Sequence, residues 1–348
     1  MFPLYKKDIV MVMSDVPNGK ALAKCFMIDE DDKYSLNQRI CCIRSKEFYA
    51  KYLYYQLNRH KHFLAFNNGE NQTNLRKSDI LNCPLIKPSM NEQKRIVNEL
   101  EICLSSINKA KANTEKNLQN AAALFESYLQ RVFENKEYGW EEKKLKEISK
   151  TGAGGTPLKA NKDYYEDGAV PWLLSGEVSQ GEIFMAKNFI TEKGLKNSSA
   201  KLFPSNTVLI AMYGATAGEV GILKFEAATN QAVCGILPDK NFIPEFLYYK
   251  FLSSKTALVL QAVGGAQPNI SQVKIKNTLV PIISLEQQQN IVNQLDSLRA
   301  ETRRLETLYQ KKINALDELK KSLLQKAFEG ELYDDEATKL KIENELPL

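Results

Sequence analysis

From Leu285 to Gly330 the chain reads LEQQQNIVNQLDSLRAETRRLETLYQKKINALDELKKSLLQKAFEG, with no Pro or Gly before its last residue. Leu, Glu, Lys, Gln and Arg fill it, all good helix formers. Alternating steps of four and three from Ile291 land on Leu295, Leu298, Thr302, Leu305, Tyr309, Lys312, Leu316, Leu319 and Leu323. Apart from Thr302 and Lys312 these positions are apolar, the narrow a/d seam of a coiled coil rather than the wider stripe of a surface helix. At 1.5 Å per residue the segment predicts a rod on the order of 60 Å long. A rod with one greasy seam needs a partner helix.

The partner lies in the same chain. Gln72-Thr73-Asn74-Leu75 is answered 195 positions later by Gln267-Pro268-Asn269-Ile270, and the same offset pairs Gln93 with Gln288, Leu100 with Leu295 and Phe133 with Phe328. The first copy's seam reads Ile96, Leu100, Cys103, Ile107, Ala110, Thr114, Asn117, Ala121, Leu124 and Tyr128. A unit this long marks a duplicated domain, because solenoid repeats run about 20–50 residues. Two helices with matched seams, joined through a globular domain, are expected to lie antiparallel about an approximate twofold.

The rest of the chain reads as short strands with few helices. Asp8 to Met13 and Ile40 to Ile43 are apolar runs, and the aromatic spacing of Phe48 to Asn58 predicts a short helix. Asn37-Gln38 through Ile43 matches Asn230-Gln231 through Ile236, and Leu53-Tyr54-Tyr55 matches Leu247-Tyr248-Tyr249. The duplication therefore covers the globular parts too. In the second copy, Glu141 to Ser149 reads as either helix or strand. Val170 to Gly176 and Thr207 to Tyr213 read as buried strands, the latter running into the turn Gly214 to Gly218. The fold class expected is α+β, with duplicated domains of mixed, short-stranded structure, each followed by a long helix, and the helices packed as an antiparallel coiled coil. The expected boundaries are 1–90, a first helical spacer at 91–135, 140–284, a second spacer at 285–330 and a frayed tail at 331–348.

Composition changes this picture little. The 348 residues are 43% hydrophobic and 26% charged with a net charge of +5, which permits a polyanionic partner without demanding one. The six cysteines form no CxxC and sit mostly among apolar neighbours, so buried reduced thiols are expected. No apolar run approaches a membrane span and no signal-peptide pattern opens the chain, which predicts a cytoplasmic protein.

Catalytic patterns are missing. His60 and His62 lie beside Arg59 and Lys61 and read as surface residues. The run Gly152-Ala153-Gly154-Gly155-Thr156-Pro157 lacks the Gly-Lys-Ser/Thr of a phosphate loop and opens no long helix. No carboxylate pair, nucleophile elbow or metal-binding helix motif is evident. What remains is a binding architecture with two sites at a fixed distance, which suits double-stranded DNA read in successive grooves.

Several short motifs occur in order: Gly154-Gly155-Thr156-Pro157, Pro171-Trp172 with Ser175-Gly176, Tyr213 to Gly218, Asn230-Gln231, Gly264 to Ser271, and Glu286 to Val292. In this order and spacing the chain resembles the specificity subunits of type I restriction–modification enzymes, over 140–330 and, at lower fidelity, 1–135. The resemblance implies two target-recognition domains, each reading one half of a split double-stranded DNA target. It also implies helical spacers that dock methyltransferase subunits, two of them, and restriction subunits. S-adenosylmethionine, ATP and Mg2+ would then serve the partner chains, with no cofactor in this one. The runner-up reading is a coiled-coil adaptor joining two proteins without DNA.

On the DNA-reading view, Lys159, Lys162, Lys187, Lys274 and Lys276 would anchor phosphates, while Ser175, Tyr213, Thr216, Gln267 and Asn269 could reach base edges. Gly214, Gly218, Gly264 and Gly265 are expected to be turn glycines, Trp172 core, and Asn230-Gln231 structural. Residues shared by both copies should mark scaffold and partner docking, and those that differ should mark sequence readout. Docking of partners falls to the seam residues Ile96, Leu100, Ile107, Leu124, Ile291, Leu295, Leu298, Leu305, Leu316, Leu319 and Leu323.

One mismatch stands out. Phe203-Pro204 aligns with Phe2-Pro3, so Trp140 to Leu202 has no counterpart in the first copy. A misplaced start codon, a split gene and a truncated remnant all explain it. The expectation is that uncovered sheet edge and apolar surface weaken the first domain. Residues 140–280 would then read one half-site reliably, and a second would come from pairing with another such chain or a complementing fragment.

Overall fold

A computed structural model describes residues 2–134, 139–261 and 269–329. Gln267, Gly264, Gly265 and the tail at 331–348 lie outside the described residues. The described residues fall into two compact units, drawn from Met1–Asn117 with Leu308–Leu348 and from Leu118–Thr307. Each unit holds one globular head and one part of each long helix.

In the first unit, β1 (Ile9–Val12), β2 (Ser14–Asp15), β3 (Cys25–Met27) and β4 (Ile40–Ile43) precede α1 (Ala50–Leu57) and α2 (Lys61–Leu64). Then come β5 (Thr73–Asn74), α3 (Lys77–Leu81) and α4 (Met90–Glu134). β1 is the centre of an antiparallel sheet ordered β3-β1-β4, and β2 pairs with β5. Ile9, Met11, Leu22, Leu53, Leu57, Phe63 and Leu75 close a core between this sheet and α1. The half-domain thus buries an apolar centre of its own. Its outer strands β3 and β4 have no further strand partner among the described residues, and Phe26 on β3 is exposed.

The second unit opens with β6 (Glu141–Lys144), α5 (Leu145–Ile148) and β7 (Thr151–Ala153), so the segment read as helix or strand is one after the other. β8 (Val170–Leu173), β9 (Glu182–Ile183), β10 (Asn188–Ile190), α6 (Glu192–Lys196) and β11 (Leu202–Phe203) follow. Next are β12 (Val208–Ala211), β13 (Val220–Leu223), β14 (Ala227–Thr229) and β15 (Val233–Ile236). The unit ends with α7 (Pro244–Ser253), α8 (Lys255–Leu260), α9 (Gln272–Lys276), β16 (Leu279–Ile282) and the start of α10 (Leu285–Glu329). A five-stranded sheet runs β7-β15-β12-β13-β9 and a four-stranded one β10-β8-β14-β11. β12 is apolar and buried at all four positions because both of its faces are covered.

The duplication survives as register. Met11 pairs with Cys25 and Cys41, and its counterpart Ile210 pairs with Val220 and Cys234. The three strands of the first unit are therefore the middle three of five. A buried glutamine at the start of each long helix repeats as well. Gln93 accepts from the Tyr49 amide at 2.7 Å and donates to the Pro88 carbonyl at 3.0 Å. Gln288 accepts from Ile243 N at 2.8 Å and donates to the carbonyls of Asn241 at 2.9 Å and Ile283 at 3.1 Å. Each glutamine satisfies an otherwise orphaned amide ahead of α1 or α7 and so fixes the long helix to its head.

The long helices pack antiparallel. Within the first unit Lys111 on α4 reaches Asp317 on α10 at 2.6 Å, and Phe328 meets Tyr52 edge-on at 5.4 Å. Within the second, Tyr128 donates to Gln294 at 2.9 Å and Phe133 lies 5.5 Å from Phe246. Of the seam residues, Ile96, Leu100, Ile107 and Leu295 are buried, and Ile291, Leu298, Leu305, Leu316 and Leu323 are half-buried. Leu124 and Leu319 are corrections, 52% and 53% exposed. On α4 one line of the seam falls a residue later than the count, on Leu104, Leu118 and Phe125 in place of Cys103, Asn117 and Leu124. On α10 burial steps from Thr302 to Ile313, eleven residues. A helix of 3.6 residues per turn drifts about 20° per heptad from a strict 3.5 repeat, and that drift carries Leu319 off the seam.

Two smaller readings change. All six cysteines are free, but Cys103 is exposed and only Cys83 and Cys234 are buried, their thiols pushed up to about 12 by burial. The histidines are half-buried and hydrogen-bonded rather than free on the surface. His60 caps α2, accepting from His62 N at 3.2 Å beside the Cys83 thiol, and burial holds its pKa below the usual histidine range. His62 Nε2 lies 2.9 Å from the Asp79 carbonyl.

Candidate nucleic-acid interface

In the second unit several loops meet beyond the carboxyl end of β12. The chain leaves β12 through Met212 and turns on Gly214 and Gly218, whose φ of +74° and +84° favour glycine. Tyr213 bridges Asn269, and the Ile270 amide donates to the Met212 carbonyl at 2.8 Å. The 3-10 turn Gly214–Thr216 packs against the 3-10 turn Ser175–Gln180 that follows β8. Buried Glu177 ties this second turn down, accepting from Leu174 N at 2.9 Å and Lys187 N at 3.0 Å.

Five predicted site residues thus share one surface: Ser175, Lys187, Tyr213, Thr216 and Asn269. Glu177, which ties Leu174 to Lys187, escaped the sequence reading. Its only signal was an acidic residue at the third position of a turn, where it can cap a free amide. Lys159 is exposed in the segment between β7 and β8, and Lys162 there lies 3.8 Å from Glu166, an exposed pair of little energetic weight. Lys274 and Lys276 are half-buried on α9, and the Lys274 amine donates to the Gln261 carbonyl.

The glycine run beside this surface serves packing. Gly154 N donates to the Val233 carbonyl at 3.1 Å and Gly155 N to that of Thr229 at 2.8 Å. A Cβ on Gly154 would stand 2.3 Å from the Asn230 carbonyl, and one on Gly155 2.3 Å from the Ala200 amide. Trp172 is buried and its Nε1 donates to the Gly155 carbonyl at 3.0 Å. Thr156 and the exposed Gln231 are hydrogen-bonded through their side chains.

A separate cavity of about 480 Å³ lies between α7, α10 and the strand region around β9. Arg299 crosses it, donating to Tyr248 Oη at 2.6 Å with its guanidinium over the rings of Phe125 and Tyr248. Tyr249 donates to Asp296 at 2.5 Å, and burial, with that carboxylate, raises its pKa. Among the described residues no group of three or more His, Cys, Asp or Glu could hold a metal ion, and no helix is long and apolar enough to cross a membrane.

The family described as type I restriction modification DNA specificity domain matches residues 2–118 and 137–315, taking in both copies. The chain belongs to this family. It is 27% identical over 256 residues to the EcoR124I/EcoR124II specificity subunit of Escherichia coli, covering 71% of this chain and 62% of that one. It therefore spans less than two thirds of that relative's length. The EcoBI specificity subunit of Escherichia coli is 26% identical over 334 residues, covering 85% of this chain and 69% of that one. Among solved structures, the HsdS subunit from Thermoanaerobacter tengcongensis superposes with a TM-score of 0.63 at 18% identity, over 94% of this chain and 81% of that one. A chain from a structure on assembly and conformational transition of the type I R-M system gives 0.75 at 17% identity, over 94% and 82%. At these identities the structures speak for the fold, and the family assignment rests on the sequence match.

Proposed function

We propose that this chain is the DNA-reading, non-catalytic specificity subunit of a type I restriction–modification complex, acting in the cytoplasm. The observation that carries the reading is the family match over both copies, each of which holds a head pinned by a buried glutamine to a long helix. Each head reads one half of a split double-stranded target. In the second unit Ser175, Tyr213, Thr216, Asn269 and Gln267 are the candidates for contact with base edges, and Lys159, Lys162, Lys187, Lys274 and Lys276 for contact with phosphates. The antiparallel helices dock two methyltransferase subunits and, with them, restriction subunits. S-adenosylmethionine, ATP and Mg2+ belong to those partners. Among the described residues the sheet around β1 has three strands where the equivalent sheet around β12 has five, so residues 140–280 are expected to read their half-site more reliably than the first unit. A second specificity chain or a fragment could add strands at its free edges.

The test is DNA binding by the full chain with its methyltransferase subunit across a salt series. Neutralised phosphates release counterions, so log K should fall linearly with log salt, and Lys159→Ala with Lys187→Ala should make the slope shallower by about 2. A pure adaptor would show no DNA binding at any salt.

A further inference from the structure

The structure assigns Ser14 and Tyr213 to one and the same place in the two heads, and we propose that this place is a specificity-determining position, read in one half-site through Ser14 and in the other through Tyr213. The proposal rests on the DNA-reading function above and names which residue of the shared surface carries sequence information.

The backbone around the two residues is the same. Ser14 follows β1 and stands opposite Asn74, and Tyr213 follows β12 and stands opposite Asn269. One residue earlier, the Leu75 amide donates to the Met13 carbonyl at 2.7 Å, and the Ile270 amide donates to the Met212 carbonyl at 2.8 Å. Leu75 and Ile270 are both buried, and they fix the pairing register on the core side. Side chains alternate along a strand, so the next residue on each, Ser14 or Tyr213, points away from that core. Asn74 and Asn269 are both exposed beside them.

What differs is the side chain presented. Ser14 is small, and its Oγ accepts from Gln72 Nε2 at 2.8 Å, leaving its proton free to be donated. Tyr213 is large, 39% exposed, and offers a ring face and a phenolic hydroxyl. The loops beyond differ too. In the first unit the Asp15 carboxylate gathers the amides of Val16, Ala21 and Leu22 at 2.9, 2.6 and 3.0 Å, whereas the second unit turns on Gly214 and Gly218. A fixed backbone with an interchangeable side chain is what two readers of different sequences need from one scaffold. A hydroxyl and an aromatic ring discriminate bases by different contacts, hydrogen bonding against apolar or stacking contact.

The test is selection of bound duplexes from a randomised pool by the full chain assembled with its methyltransferase subunit, as wild type, Tyr213→Ser and Ser14→Tyr. Tyr213→Ser should change base preference about tenfold at one or two adjacent positions of one half-site and leave the other half unchanged, within the range of a single base contact. Ser14→Tyr should do the same in the other half. Should Tyr213→Ser fail to assemble, Tyr213→His keeps a ring with its polar atoms moved, and the same local change is expected. Uniform weakening on all sequences, or an unchanged preference, overturns the assignment while the wild type still selects a target. A wild-type complex that selects no sequence brings down the DNA-reading function itself.

Discussion

Gln56 in the first unit and Lys250 in the second match on equivalent helices, and the counterpart of the residue bonded to Gln56 accounts for the exchange. Gln56 donates to the Ile86 carbonyl at 2.8 Å and accepts from the Ile86 amide at 2.9 Å, using both ends of its side chain. The counterpart of Ile86 is Pro281, which has no amide to donate. A glutamine there would leave its oxygen unpaired. Lys250 is buried instead, with its amine over the Phe133 ring at 5.6 Å, and burial lowers its pKa. One scaffold therefore holds different chemistry at matched positions where the bonding partner of one copy has no equivalent in the other. Where nothing on the scaffold changes, as at Gln93 and Gln288, the residue is the same in both copies.

The comparison can be broken most severely along the helices both heads share. Leu305→Pro should cost about 3 kcal/mol or more before lost packing is counted, seen as a fall in the urea midpoint. Next come the two glutamines. Gln288→Leu leaves one amide and two carbonyls without their partner, and Gln93→Leu one of each, so losses of about 3 and about 2 kcal/mol are expected, in that order. Equal and negligible losses in thermal melts would mean the glutamines do not pin the heads.

The Gln56/Lys250 exchange can be sharpened by a double-mutant cycle. Lys250→Gln and Pro281→Ile should each destabilise alone, and together recover about 1–2 kcal/mol of coupling, because the pair rebuilds the first unit's exchange. Lys250 also sets a pH dependence. Its folded pKa lies below 10.5, so between the two values the unfolded chain binds more protons and this residue's contribution to stability rises with pH. The wild type minus Lys250→Met stability difference should therefore grow from neutral pH toward 10.5 and level off above it. The smallest effect belongs to Leu319→Lys. On the exposed face it should change stability by less than about 0.5 kcal/mol, where a true seam residue would cost several times that.

Much of this comparison was legible in the residues. The matched pairs Gln93/Gln288, Leu53-Tyr54-Tyr55/Leu247-Tyr248-Tyr249 and Ile40/Val233 mark equivalent places in the structure, because each sits where backbone and core leave little choice. The long helices fell where their apolar spacing put them. The phase of their seam did not, since counting by heptads assumes a supercoil these helices do not keep through Ile313. The surface beyond β12 was only half legible. Tyr213, Thr216 and Ser175 stood beside turn glycines and could be singled out. Glu177 carried only the faint local signal of a turn-capping carboxylate, bonded to the amides of Leu174 and Lys187, and the Arg299 cavity arises from contacts between segments far apart in sequence. His60 and His62 misled because their charged neighbours Arg59 and Lys61 hid the packing against Phe63.

The most direct test of two equivalent readers in one chain is a methylation map of DNA from cells expressing this protein with its methyltransferase subunit. Two equivalent readers should produce a split target, with two different specified runs of bases separated by an unspecified gap of constant length. Methylation at a single specified run, or without sequence preference, would contradict it.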